Sequence, residues 1–202
     1  MSHIKLKWVV TLLAPAVVLS ACAGAPSTSI PAQTAGPDSL TGLAFNPADG
    51  SLLKADATGL FRLATDRQTW EVIETAATSG LNGVAVNPDD PATLYVSGLG
   101  VGVLKSTDGG QSWSAVNSGL VNTDVVALAM HSFRRETLYV WLQGDGIYRT
   151  EDGGAHWNRM PDQGPPDTAV HGLAHSTLPG SMNTGWLYAA TPSGAYLSMD
   201  CF

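Results

Sequence analysis

Two octapeptides of the chain place an aspartate, two glycines and a tryptophan at the same relative positions. They read STDGGQSW at 106–113 and TEDGGAHW at 150–157. Two carboxyl groups held roughly 5 to 9.5 Å apart can act as the acid and the base or nucleophile of glycoside hydrolysis. The same residue types also form turns, because aspartate accepts hydrogen bonds from backbone N–H groups and glycine adopts positive φ. The elements that carry the octapeptides decide between these two roles.

Three histidines are the other side chains whose chemistry merits attention. His171 and His175 would point to the same side of a strand, and His131 lies one repeat earlier at a nearby position. Residues i and i+4 of a strand are roughly 13 Å apart, which is too far to share one ion. We therefore predict no metal site and no cofactor.

A repeat of about 44 residues organises the chain after residue 40. Its first segment reads GLAFNP (42–47), GVAVNP (83–88), ALAMHS (127–132) and GLAHST (172–177). Two further segments meet at Gly59, Gly102, Gly146 and Gly194, which are spaced by 43, 44 and 48 residues. Short β-branched and aromatic segments bounded by Gly, Pro, Asn or Asp are typical of strands.

Four short strands in each unit of 40 to 50 residues predict an all-β fold, a β-propeller with four-stranded blades. A β-sandwich of irregular strands is the alternative, but it leaves the matched glycine spacings unexplained. The predicted propeller covers residues 40–202, and its last blade is incomplete. The blades span about 40–77, 81–120, 125–163 and 170–202.

The octapeptides resemble the Asp-box, or BNR repeat, of sialidases, sortilin-type receptor domains and photosystem II assembly factors. The matching residues are Ser106, Asp108, Gly110 and Trp113 in one copy, and Thr150, Asp152, Gly154 and Trp157 in the other. In those families the motif is a structural hairpin between the third and fourth strands, on the rim and away from the ligand face. The resemblance implies that these eight residues are structural, and we assign no catalytic residue.

The first and last repeats depart from the motif. In the first, Asp66 and Trp70 are one residue too close and no glycine lies between them; in the last, Phe202 occupies the glycine position after Ser198 and Asp200. About three and a half blades are present, which favours part of a larger propeller. A ring of four blades, completed by a strand from 28–40, is the alternative. Cys201 has no obvious partner and is expected to pair beyond residue 202 or with another chain.

The loops that follow the second and fourth strands of each blade are expected to share one face of the propeller, where ligands commonly bind. These loops carry acidic side chains and neither Lys nor Arg; the acids are Asp56, Glu74, Asp124, Asp145, Asp162 and Asp167. Sialidases grip a substrate carboxylate with three arginines, and no such cluster is visible here. Instead, Arg62, Lys105 and Arg149 recur three residues after the glycine of each third strand.

The N-terminal residues are typical of a secretory signal. Lys5 and Lys7 precede an apolar run that is too short to span a bilayer, and Leu19–Cys22 resembles the lipobox of bacterial lipoproteins. We predict a signal peptide over residues 1–21, a lipid on Cys22 and a flexible tether over 22–39. An ordinary signal peptide cleaved near Cys22 is the alternative. The expected location is the bacterial cell envelope, on the outer membrane facing the periplasm or at the cell surface.

The net charge of the chain argues against nucleic acid as a partner. The formal net charge is −7, and it becomes −9 without residues 1–21, which carry two lysines and no acid. An acidic surface repels nucleic acid. The sequence thus favours a non-enzymatic binding or assembly scaffold, held at the membrane by its lipid and binding a protein or glycan. The alternative is a sialidase-like glycoside hydrolase whose catalytic residues lie in further blades.

Overall fold

The computed structural model of the protein describes residues 41–64, 66, 68–75, 77, 80–160, 165, 169–178 and 185–198. The predicted signal peptide, Cys22 and the tether lie outside these residues, as do Asp162, Asp167, Asp200, Cys201 and Phe202. The described part forms no helix with the length and apolarity that crossing a bilayer requires.

Fifteen strands form four antiparallel sheets, which we call blades 1 to 4 in chain order. Blade 1 contains β1 (Gly42–Phe45), β2 (Leu52–Asp56), β3 (Gly59–Leu63) and β4 (Trp70–Ile73). Blade 2 contains β5 (Leu81–Val86), β6 (Leu94–Gly98), β7 (Gly102–Ser106) and β8 (Ser114–Ala115). Blade 3 contains β9 (Val125–Met130), β10 (Leu138–Leu142), β11 (Gly146–Thr150) and β12 (Asn158–Arg159). Blade 4 contains β13 (Gly172–His175), β14 (Leu187–Thr191) and β15 (Gly194–Ser198).

The strands of each blade pair in sequence order, so every blade is a simple meander. The first strands β1, β5, β9 and β13 lie next to one another in succession and line a common central space. The predicted all-β propeller fold with four-stranded blades is confirmed, with three strands of the fourth blade among the described residues.

Each pair of neighbouring blades buries one apolar cluster between them. Leu53 and Leu60 of blade 1 pack on Val84 and Val96 of blade 2, and similar clusters join blade 2 to blade 3 and blade 3 to blade 4. Because side chains alternate between the two faces of a strand, each inner blade covers one neighbour with each face. The core is therefore a series of junctions between blades.

The glycine that opens each third strand permits the tight turn from the second strand. Gly102 and Gly146 have φ of 72° and 106°, a region that residues with a Cβ rarely adopt. This local requirement explains why glycine recurs at this point of every repeat.

Candidate functional site

The octapeptide of blade 2 connects β7 to β8 and folds around the Ser106 hydroxyl. This oxygen accepts hydrogen bonds from the N–H groups of Gly110 at 2.9 Å and Asp108 at 3.3 Å, and it donates to Asp108 Oδ1 at 2.8 Å. The Asp108 carboxylate also accepts from the N–H groups of Gln111 and Ser112 and from the Ser112 hydroxyl. Hydrogen bonds from Ser112 and Ser106 lower the pKa of Asp108 to about 2. A carboxylate in this state is a poor proton donor at neutral pH.

The octapeptide of blade 3 repeats this geometry between β11 and β12. The Thr150 hydroxyl accepts from Gly154 N at 3.0 Å and donates to Asp152 Oδ1 at 2.6 Å. The same carboxylate oxygen accepts from His156 N at 2.9 Å. The Thr150 hydroxyl and the His156 N–H lower the pKa of Asp152 below its usual range. Both aspartates thus hold the turns in which they lie.

Each octapeptide also fastens its blade to the preceding one. Lys105 Nζ of blade 2 donates to the carbonyl of Gly153 in blade 3 at 3.3 Å, and the Tyr95 hydroxyl donates to the same carbonyl at 3.2 Å. Arg62 of blade 1 approaches the matching carbonyl of Gly109 in blade 2 at 3.5 Å. In blades 1 and 2 the recurring cation of the third strand is therefore part of the junction with the next blade, whereas Arg149 of blade 3 pairs with Glu151 at 3.1 Å.

The tryptophans at the ends of the octapeptides also join each blade to the preceding one. Trp113 Nε1 donates to the Glu74 carbonyl at 3.1 Å, and Trp157 Nε1 donates to the Val116 carbonyl at 2.7 Å, each in the preceding blade. Trp157 is buried, so its ring adds apolar packing to this hydrogen bond. In blade 1, where the motif is incomplete, Asp66 still accepts from the N–H groups of Gln68 and Thr69.

The octapeptides lie on the same face as the loops between first and second strands. Gly109 N donates to the Ala92 carbonyl at 2.9 Å, and Gly153 N donates to the Glu136 carbonyl at 2.8 Å. In a meander the remaining connections emerge on the opposite face, which we call the top face. The two octapeptide aspartates therefore cannot act on a ligand bound at the top face.

Hydrogen bonds tie the top-face loops together across blades. Gly102 N donates to the Thr123 carbonyl at 2.8 Å, Gly100 N donates to Asp124 Oδ1 at 3.0 Å, and Gln143 N donates to the Asp124 carbonyl at 2.9 Å. The loop that follows the fourth strand of blade 2 thus contacts the second-to-third-strand loops of both blade 2 and blade 3. The structure thus places the described loops of blades 2 and 3 on one face, as the sequence predicts.

Three described aspartates of the top face, Asp56, Asp124 and Asp145, form hydrogen bonds or ion pairs within the protein. Asp124 accepts from Gly100 N as above, and Asp145 Oδ2 accepts from the Tyr148 hydroxyl at 2.6 Å and pairs with Arg159 at 3.2 Å. Burial and the hydrogen bond to Asp145 raise the pKa of Tyr148 to about 12. Burial opposes ionisation of Asp56, but hydrogen bonds from Lys54 and Thr58 lower its pKa overall. The positions of Asp162 and Asp167 lie outside the described residues.

A cleft opens at the top face beside the central space. It has a volume of about 200 Å³ and is lined by side chains of blades 2 and 3 and of the start of blade 4; these include Leu99, Val126, Trp141, Gln143, Val170 and His171. Leu99 is 49% exposed, whereas Trp141 is buried and forms a wall. His171 also lines the central cavity of about 220 Å³, so cleft and cavity adjoin.

The described lining of the cleft contains no Asp, Glu, Lys or Arg and mixes apolar surface with one amide and one imidazole. Sequence reasoning assigned the top-face loops to ligand binding but did not single out Leu99, Trp141 or Gln143. One signal was available, because Trp141 occupies the strand position that Ala55 and Ser97 hold in blades 1 and 2. A large aromatic side chain at a position otherwise filled by small residues changes the surface at that point.

The structure brings His131 and His175 together on the opposite face. Their rings stack at 4.0 Å between centroids. His131 Nδ1 accepts from the N–H groups of Phe133 at 3.0 Å and Arg134 at 3.1 Å, and His175 Nδ1 accepts from Ser132 N at 3.0 Å. Burial, then His175 and nearby arginines, lowers the pKa of His131 to about 4, and burial also lowers the pKa of His175.

His131 caps its own turn, His175 contacts Ser132 of the neighbouring blade, and His171 lies apart from both at the top face. His131 occupies the repeat position of Asn46 and Asn87, whose side chains cap the corresponding turns. Among the described residues, no group of three or more His, Cys, Asp or Glu side chains is arranged to hold a metal ion.

Solved structures similar to this chain are β-propeller proteins. They include the GH74 xyloglucanase of Xanthomonas campestris, with a TM-score of 0.62, 21% identity and 81% of this chain covered. An ancestral GH74 enzyme gives a TM-score of 0.55, 16% identity and 74% coverage. The protein YCF48, solved bound to a D1 peptide, gives a TM-score of 0.51, 19% identity and 68% coverage.

The chain spans 29%, 21% and 44% of the lengths of these three proteins. No protein-family model matches the chain, and no curated protein resembles it significantly in sequence. At these identities the similarity establishes the β-propeller fold, and the fold alone.

Proposed function

We propose that this protein is a non-enzymatic binding or assembly scaffold of the bacterial envelope. The ligand lies in the top-face cleft between Leu99, Trp141, Gln143 and His171. The cleft itself carries the proposal, because it is a concave site with an apolar wall and two hydrogen-bonding side chains, one amide and one imidazole. Such a lining suits an extended protein segment that inserts an apolar side chain and pairs its backbone with Gln143. The solved complex of YCF48 with a peptide supports this use of the fold.

Selection from a random-peptide phage library on the immobilised full chain tests this proposal. We expect enriched peptides to lose binding to Leu99→Glu and Gln143→Ala and to keep it with Val121→Glu, a matched exposed apolar position of a top-face loop outside the cleft. Peptides that bind all variants equally would place the ligand elsewhere. Recovery of no enriched peptide would count against a protein ligand.

The lipid anchor is the second part of the proposal. Leu19–Cys22 resembles a lipobox, and a thioether-linked lipid on Cys22 would hold the propeller at a membrane surface through the 22–39 tether. Labelling of bacteria that express the full chain with a radioactive fatty acid should mark the protein, and Cys22→Ser should remove the label. Cys201→Ser is the control that should leave the label in place.

A glycoside hydrolase is the second candidate, favoured by the two GH74 enzymes among the similar structures. Hydrolysis would require two carboxylates at a suitable separation, and Asp56, Asp124 and Asp145 each already bond to other groups of the protein. Xyloglucan and a fluorogenic sialoside are the substrates to offer the full chain. Turnover that disappears in Asp124→Asn or Asp145→Asn would overturn the scaffold proposal.

A further inference from the structure

The described lining of the top-face cleft favours an uncharged group of a ligand. It contains no Asp, Glu, Lys or Arg. A charged group placed there would lose its hydration without gaining an ion pair, which is costly. A charge that the ligand carries is therefore better accommodated outside the cleft, at its rim.

Asp124 brings a carboxylate to this rim. Its Oδ1 accepts a hydrogen bond from the N–H of Gly100, next to Leu99, at 3.0 Å, and its carbonyl accepts from the N–H of Gln143 at 2.9 Å. Leu99 and Gln143 both line the cleft, as does Val126, two residues after Asp124. The carboxylate is therefore held beside the loops of blades 2 and 3 that border the cleft.

The carboxylate of Asp124 retains one oxygen for a ligand. Asp124 is exposed, and among the described residues its Oδ2 accepts no hydrogen bond and forms no ion pair. The loop around it is fixed, because Asp124 N donates to Asn122 Oδ1 at 2.9 Å and Oδ1 is held by Gly100. A side chain that is already held in place loses less conformational freedom when it binds a cation.

The neighbouring aspartates of the described top face have cations of their own. Asp145 pairs with Arg159 at 3.2 Å, and Asp56 pairs with Lys54 at 2.8 Å. Neither cation is therefore available to neutralise Asp124. A carboxylate without a counter-ion, at the rim of an apolar cleft, favours a cationic group and repels an anionic one. The formal net charge of −7 adds long-range attraction for a cationic partner.

We propose that the protein segment bound in the cleft carries Lys or Arg beside its apolar anchor, and that Asp124 pairs with this cation. The proposal rests on the function proposed above and narrows its ligand to a segment that combines an apolar and a basic side chain. The apolar side chain enters the cleft, and the cation binds Asp124 at the rim. An extended segment advances roughly 3.3 Å per residue, so the cation belongs within about two residues of the anchor.

Parallel selections from one random-peptide phage library, on the immobilised full-length wild type and on Asp124→Asn, test this pairing. Asparagine keeps an oxygen that can accept the Gly100 N–H, so the charge is lost while the loop is retained. We expect the wild type to enrich Lys or Arg within about two residues of an apolar anchor, and Asp124→Asn to lose this preference. Peptides selected on the wild type should bind Asp124→Asn about two- to fivefold more weakly at low salt, as for an exposed ion pair.

Two controls assign the effect to this position. Glu74→Gln removes the same charge from the top-face loop that follows β4, outside the cleft lining, and should change the affinity by less than about twofold. At about 0.5 M salt the difference between the wild type and Asp124→Asn should shrink, because salt screens exposed charges.

The outcomes distinguish a failure of this pairing from a failure of the proposed function. Peptides that lose binding to Gln143→Ala but show no basic preference, or that bind Asp124→Asn as tightly as the wild type, would overturn the pairing and leave the cleft as the binding site. An equal loss with Glu74→Gln would also overturn it, since the preference would then reflect the overall acidity of the chain. Peptides that bind Gln143→Ala normally, or a selection without enrichment, would overturn both proposals.

Discussion

The imidazole ring of His131 in blade 3 stacks on that of His175 in blade 4, with 4.0 Å between their centroids. Both rings accept hydrogen bonds from backbone N–H groups at Nδ1, so both must be neutral for the contact to persist. Protonation would reverse the role of Nδ1 and place two positive charges face to face. The junction of blades 3 and 4 is therefore sensitive to acid.

The free energy of unfolding should fall between about pH 6.5 and pH 4. The pKa of His131 is about 4 in the folded protein, below its ordinary value near 6.5, so the unfolded chain binds more protons in this range. The stabilisation that neutral His131 contributes is complete above about pH 6.5. It is lost as the pH falls toward 4, which lowers the free energy of unfolding by up to about 3 kcal/mol. Urea unfolding at several pH values measures the effect.

His131→Asn provides the matched control. Asparagine caps the same turn in blades 1 and 2, where Asn46 accepts from Ala48 N at 3.0 Å and Asn87 accepts from Asp89 N at 3.0 Å. We expect this variant to fold with a much weaker pH dependence. An unchanged pH dependence would assign the effect to other groups.

Ser106→Ala and Thr150→Val should each destabilise the protein by about 1–3 kcal/mol. Both hydroxyls are buried, and each accepts from a glycine N–H that would be left buried without a partner. Thr150→Ser retains the hydroxyl and should cost far less. Denaturant unfolding followed by tryptophan fluorescence measures all three, and equal stability of Thr150→Val and Thr150→Ser would contradict this account.

Lys105→Met should destabilise the junction of blades 2 and 3 by roughly 0.5–1.5 kcal/mol. The substitution removes the donor to the Gly153 carbonyl at 3.3 Å and the cation 5.4 Å from the centroid of the Tyr95 ring. Lys105→Arg preserves both interactions and should remain close to the wild type. A Met variant as stable as the Arg variant would show that packing alone joins these blades.

Gly119→Ala should destabilise the protein more than Gly144→Ala. Both glycines have positive φ, 94° and 78°, so both substitutions introduce backbone strain of roughly 1–3 kcal/mol. A Cβ on Gly119 would also collide with the Trp157 carbonyl, whereas a Cβ on Gly144 meets open space. Thermal unfolding of the two variants isolates the contribution of this contact, and equal melting temperatures would contradict it.

The sequence by itself was sufficient to predict the fold and its repeating unit. Strand signals, the glycine of each third strand and the aspartates of the two octapeptides all act within a few residues. Gly102 needs positive φ and Asp108 caps its own turn, whatever lies across the junction. Local requirements of this kind leave a regular pattern in the chain.

Only the tertiary structure decided which side chains meet across blades. Lys105 contacts Gly153, His131 contacts His175, and Leu99 shares a cleft with His171, over separations of 44 to 72 residues. These contacts depend on the angle and spacing at which two sheets pack, which no single repeat encodes.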